Sequence, residues 1–178
     1  MNGTIIQKGQ VSPDKLNIGI LVEKLDRGAE GRLAAELAKV LAEDFNTFVI
    51  LLNRRESAGH APGTIVDLQG GTAAFGLKLT QSSARINILI KDYGLEAVIS
   101  IGDRANTVNG LYNHSCPSAV CLFKTEESSR LNPFIFFAGR MTKDAIQKAD
   151  KIVGLTGADD PARVRKCCQA VKELISGR

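Results

Sequence analysis

Apolar residues in this chain fall into short continuous runs, separated by longer stretches with helical periodicity. The runs are Asn17–Val22, Thr47–Leu52, Ile65–Leu68, Ala97–Ile101, Ser118–Phe123 and Lys151–Leu155. Most do not alternate with polar residues. That is the pattern of strands buried on both faces of a parallel sheet. The first helical stretch sets Leu33, Leu37, Val40 and Leu41 on one face, at the i, i+4, i+7, i+8 spacing. A second spans about Ser83 to Tyr93, with Ile86, Leu89, Ile90 and Tyr93 inward. Ser82 or Ser83 is placed to cap its start, and Gly94 to end it. A third covers roughly Arg104 to Tyr112, and a fourth roughly Pro133 to Ala149. The last opens with Asp159-Asp160-Pro161, an N-cap followed by proline in the first turn. It continues through Val164, Cys168, Val171 and Ile175, and Gly177 ends it. Strands alternating with helices predict right-handed crossovers and an α/β fold of three layers, with a mostly parallel sheet of about six strands.

Met1 to Lys15 has no such pattern and is expected to be a loose leader, leaving residues 16–178 as one domain. Asn53 to Pro62 is polar and reads as an exposed loop, and Gly70-Gly71 as a bend. There is no internal repeat or low-complexity segment.

Length and composition narrow the picture further. The chain has 178 residues, of which 44% are hydrophobic and 24% charged, as in an ordinary globular domain. No apolar run reaches the roughly 18 residues of a membrane span. The start lacks the apolar segment of a signal peptide. A cytoplasmic location is expected. The net charge of +4 permits peripheral contact with an anionic inner membrane face but requires none. It gives no reason to expect nucleic acid as a partner. Cys116, Cys121, Cys167 and Cys168 form no CxxC pair and read as reduced, partly buried thiols. With His60 and His114 as the only histidines, no metal site is expected.

The chemistry concentrates after the first strand. Asn17–Val22 is followed by Glu23-Lys-Leu-Asp-Arg-Gly28-Ala-Glu-Gly31 and then by a helix. In an open α/β sheet this junction puts backbone N–H groups and a positive helix end at the mouth of a crevice, where anions bind. The loop is not GxGxxG, and the second strand ends in Asn53-Arg54-Arg55 without an acidic residue. A dinucleotide fold is therefore disfavoured. GxxxxGK[ST] and GxSxG are both absent.

Four stretches in order resemble the amino-terminal half of a family 4 glycosyltransferase of the GT-B type. Arg27-Gly28-Ala29-Glu30-Gly31-Arg32 with Leu37-Ala38-Lys39-Val40-Leu41 resembles that family's Gly-Gly-Ala-Glu-Arg loop and helix, with Arg27 in place of the first glycine and Gly31 interposed. Leu95–Gly102 with Arg104-Ala105-Asn106 is similar to the family's "D-V-V-I-S … A-N". Ser118–Ser128 is similar to the next strand and its acceptor-side loop, and Ala149–Thr156 to "A-D-x-I-V-A-V-S".

The resemblance implies a Rossmann-like domain that shapes the acceptor side of a sugar-transfer cleft. A nucleotide-sugar would be co-substrate, with no cofactor, and the acceptor would be a carbohydrate or lipid-linked molecule. It implies donor-phosphate contacts at Arg27, Gly28, Gly31 and Arg32, and acceptor contacts at Gly102, Asp103, Arg104, Asn106, Lys124 and Glu126. No catalytic residue is assigned. Metal is not implied, because the chain lacks a DxD motif. The family's E-x7-E pair, carried by a second domain of similar size, is also absent. The expectation is a half-enzyme that is inactive until that carboxy-terminal domain is supplied in cis or in trans.

The bland readings stand beside these. Gly28 and Gly31 either approach a ligand or merely form a tight turn, and Arg27 and Arg32 are either ligands or solvated charges. Glu30 is expected to support the helix N-terminus. Asn106 either meets a ligand or braces its helix, and Lys124 and Glu126 either line the cleft or lie on the surface. Phe136-Phe137 reads as core packing rather than membrane contact. The alternative for the whole chain is a non-catalytic module that binds a nucleotide or a partner protein.

Overall fold

The computed structural model describes residues 4–53, 59–68, 75–111, 116–123, 147–155 and 162–177, with backbone alone at 75–80 and 123. Strands β1 (Thr4–Gln7), β2 (Asn17–Val22), β3 (Asn46–Leu51), β4 (Thr64–Asp67), β5 (Leu95–Ile101), β6 (Ser118–Phe123) and β7 (Lys151–Leu155) form one sheet in the order β1-β4-β3-β2-β5-β6-β7. All neighbours pair in parallel except β1 and β4. The helices among the described residues are α1 (Ala29–Leu41), α2 (Phe75–Asp92), α3 (Asp103–Gly110) and α4 (Ala162–Ser176). The fold is α/β with a mostly parallel sheet.

Two apolar clusters explain why the strands read as unbroken runs. Ile18, Ile20 and Val22 of β2 join Ala97, Ile99 and Ile101 of β5 in one cluster, with Leu33, Leu37 and Leu41 of α1 and Val171 of α4. The alternate residues Leu21 and Val98 join a second cluster with Ile86 and Leu89 of α2 and Val108 of α3. Alternate residues of a strand therefore serve different cores, so both sets are mostly apolar. Burying one such Leu or Ile side chain contributes about 1.5–3 kcal/mol.

The helices depart from expectation in two places. Val40 is 43% exposed. The buried stripe of α1 is Leu33, Leu37 and Leu41 with Ala34 and Ala38, and the alanines rotate the contact face away from Val40. Helix α2 begins at Phe75, well before Ser83. Ser83 is not a cap; from inside the helix its Oγ donates to the Val108 carbonyl at 2.8 Å and ties α2 to α3. The expected inward residues Ile86, Leu89 and Ile90 are all buried. Tyr93 packs its ring 5.1 Å from that of Phe48.

The first residues are not a loose leader. Thr4–Gln7 adds the antiparallel edge strand β1 to β4, so the sheet is mixed. Gln7 Nε2 donates to the Ala61 and Gly63 carbonyls at 3.0 and 3.2 Å. Further along, Asn46 Nδ2 donates to the Ser12 carbonyl at 2.7 Å and the Lys15 carbonyl at 2.8 Å, and its Oδ1 accepts from Ser12 N–H at 2.8 Å. These bonds hold the segment against the start of β3. The expected helix over Pro133–Ala149, the bend at Gly70-Gly71 and the Asp159-Asp160-Pro161 cap lie almost wholly outside the described residues.

Candidate functional site

The sheet order reverses direction beside β2. Chain flow runs β2, β3, β4 to one side, and β5, β6, β7 to the other. The loops leaving β2 and β5 therefore diverge at the carboxyl ends of these adjacent strands, which is where an open α/β sheet forms its ligand crevice. Ligands gather at such points in open α/β sheets. The register sets Val22 opposite Ile101, so the two strands end level. Both loops lead directly into helices, α1 from Gly28 and α3 from Gly102.

Each loop is shaped by a glycine with a definite task. Gly102 sits at φ +92°, which side chains with a Cβ rarely adopt, and a Cβ there would collide with the Glu30 carboxyl. The absence of that atom lets Glu30 reach from α1 across to the start of α3. Gly31 is buried, and a Cβ on it would stand 2.5 Å from Asp26 N and 2.7 Å from Asp26 O. Its glycine therefore lets the first turn of α1 close onto the preceding loop. The Gly28 N–H is already donated to Asp26 Oδ1 at 2.9 Å.

Electrostatically the crevice is acidic. Glu30 is pushed up to about 7 from the ordinary carboxyl value, first by burial and then by the Asp103, Glu23 and Asp26 carboxylates; Lys24 opposes them. The neighbouring cations are engaged. Lys24 lies 3.2 Å from Asp26, and Arg104 Nη1 donates to Glu23 Oε1 at 2.6 Å, bridging the two loops. This arrangement offers many hydrogen-bond acceptors and a carboxyl that exchanges a proton near neutrality. Hydroxyl groups suit it better than a phosphate, which would meet four carboxyl groups at close quarters.

The expected site residues are distributed unevenly around this crevice. Arg27, Gly28 and Arg32 are exposed at the start of α1, while Gly31 faces the loop backbone. Gly102, Asp103 and Arg104 lie at the β5–α3 turn, with Arg104 paired to Glu23. Asn106 is a correction: it is fully buried and does not reach the crevice. Its Oδ1 accepts from Ser100 Oγ at 2.7 Å, and its Nδ2 donates to the Cys121 carbonyl at 2.8 Å. Asn109 Nδ2 donates to the same Ser100 oxygen at 3.0 Å. The asparagine thus braces β5, α3 and β6 from within, and both ends of its amide are occupied. Lys124, Glu126 and Phe136-Phe137 lie outside the described residues.

Glu23 and Glu30 are the residues that sequence reasoning passed over as site groups. The available signal was that acidic residues follow both strands that flank the reversal, at Glu23 and Asp26 after β2 and at Asp103 after β5. Among the described residues no group of three or more His, Cys, Asp or Glu side chains is arranged to hold a metal ion. Among the same residues no helix is long and apolar enough to cross a membrane. Neither a protein-family model nor a curated protein matches the chain.

Proposed function

We propose that this chain is the acceptor-side, three-layered Rossmann-like half of a GT-B glycosyltransferase. A second domain would bring the nucleotide-sugar. The observation that carries the reading is the acidic crevice between the β2–α1 and β5–α3 turns, with the Glu30 carboxyl laid over Gly102. Counted from β2, the strand order is 3-2-1-4-5-6, as in doubly wound nucleotide-binding sheets, which favours a ligand at this position. The crevice chemistry favours a neutral, hydroxyl-rich acceptor over the donor diphosphate. Glu30 and Asp103 would accept hydrogen bonds from acceptor hydroxyls. Arg27 and Arg32, exposed beside the crevice, would meet the diphosphate only when the second domain closes over it. Gly31 would serve packing.

Isotope-labelled full-length chain titrated with neutral oligosaccharides and, separately, with nucleotide-sugars tests this. Oligosaccharides should shift backbone resonances at residues 23–30 and 102–104. Nucleotide-sugars should bind only once a donor-domain polypeptide is added. Tight nucleotide binding to the chain alone at these residues, with no response to carbohydrate, would replace the proposal with a nucleotide-binding module.

A further inference from the structure

Away from the crevice, Cys121 of β6 and Cys167 of α4 face each other with their sulfur atoms 3.4 Å apart. Neither side chain is exposed, and both belong to the same apolar cluster, with Val153, Leu155 and Val171 around them. Arg163, one helical turn before Cys167, is 6% exposed. The sulfur–sulfur distance must shrink by roughly 1.4 Å to reach disulfide bonding length. We propose that Cys121 and Cys167 are a peroxide-oxidisable pair, which closes into a disulfide stapling the C-terminal helix α4 to the middle of the sheet.

The electrostatic setting assigns the two roles. Cys167 is held below the ordinary thiol value by the hydrogen bond with Cys121 and, more weakly, by the Arg163 charge, while its own burial opposes this. Cys121 is pushed the other way by the same contact and by burial. Cys167, the more readily ionised of the two and the one beside Arg163, is therefore assigned the attack, and Cys121 the resolving step. Cys168, although adjacent in sequence, is pushed up to about 11, chiefly by burial, and stays a thiol. Hydrogen peroxide, an oxidant hardly larger than water, suits so enclosed a pair better than a bulky disulfide reagent.

The chemistry balances in two steps. The Cys167 thiolate attacks one peroxide oxygen, the O–O bond breaks, hydroxide leaves, and a sulfenic acid forms. Cys121 sulfur then attacks the Cys167 sulfur. The S–S bond forms, the S–O bond breaks, and the departing hydroxyl takes the Cys121 proton as water. Two thiols are oxidised and one peroxide is reduced. The bond closes a loop of 46 residues, which the unfolded chain would otherwise leave open.

The test treats reduced, folded full-length chain with hydrogen peroxide, then alkylates it in denaturant and maps the peptides by mass. Two thiols should disappear, a cross-linked peptide joining Cys121 to Cys167 should appear, and dithiothreitol should reverse both changes. The oxidised chain should melt higher by roughly 5–10 °C. C167S should leave Cys121 alkylatable, C121S should trap oxygen adducts on Cys167, and C168S should still form the bond. Mapping of the unmutated chain stands even where a variant fails to fold. Four alkylatable thiols after peroxide, a bond to Cys116 or Cys168 instead, or cross-linking only in denaturant would each overturn the proposal.

Discussion

Glu30 shows how much one carboxyl can reveal once its surroundings are known. Its value of about 7 in the fold lies above the 4.5 of an unburied glutamate, so the folded chain holds its proton more tightly than the unfolded chain. That stabilisation is complete below pH 4.5 and is lost as pH rises through about 7. After discounting for partial exposure it is worth about 1–2 kcal/mol. Glu30→Gln keeps the shape and removes the titration. The variant should match the parent in thermal melts at pH 4 and be more stable than it at pH 8; a stability difference that does not change with pH would refute the assignment. None of this was legible in the sequence, where Glu30 is one acidic residue in a first helical turn. Its environment is made by Asp103 and Gly102, more than seventy positions away. Asn106 failed for a related reason. Its place after a central strand was readable, but its direction depends on Ser100 and the Cys121 carbonyl.

Elements were read best where apolar runs of strand length stood between polar stretches. Strands β2, β6 and β7 have the bounds their runs predicted, although β7 is an edge strand with Ile152 and Gly154 exposed, while the doubly buried β3 and β5 are offset by one or two residues. Strand β1 was missed because it has only four residues and three of them are exposed, so no core writes a pattern into it. What holds it is backbone pairing with β4 and the Gln7 amide, neither of which leaves a periodic trace. Removing residues 1–8 should therefore cost about 2–4 kcal/mol, read as a fall in the urea midpoint. It should also raise aggregation, since β4 becomes a bare sheet edge. An unchanged midpoint would mean that β1 contributes nothing. The start of α2 was misread because Ser82-Ser83 looks like a cap in one dimension, whereas in three the Ser83 hydroxyl finds a carbonyl on α3.

Across the whole molecule, the alternation of strand and helix foretold a mostly parallel sheet, and the order of the strands explains where stability should concentrate. β2 and β5 are flanked by pairing strands on both sides and by a core on each face. Their amides, from Ile18 to Val22 and from Ala97 to Ile101, should be the slowest in the chain to exchange with deuterium, and those of β1 among the fastest. Equal rates would point to a sheet that opens as a unit. The acidic residues that follow β2 and β5 were readable in the sequence, but their convergence on Glu30 was not, because it depends on which loops the reversal brings face to face. The Arg104–Glu23 bond runs between those loops. It acts as a clasp between the two turns; under the proposed function an acceptor wedged between them would have to unfasten it and satisfy both released partners with its own hydroxyls.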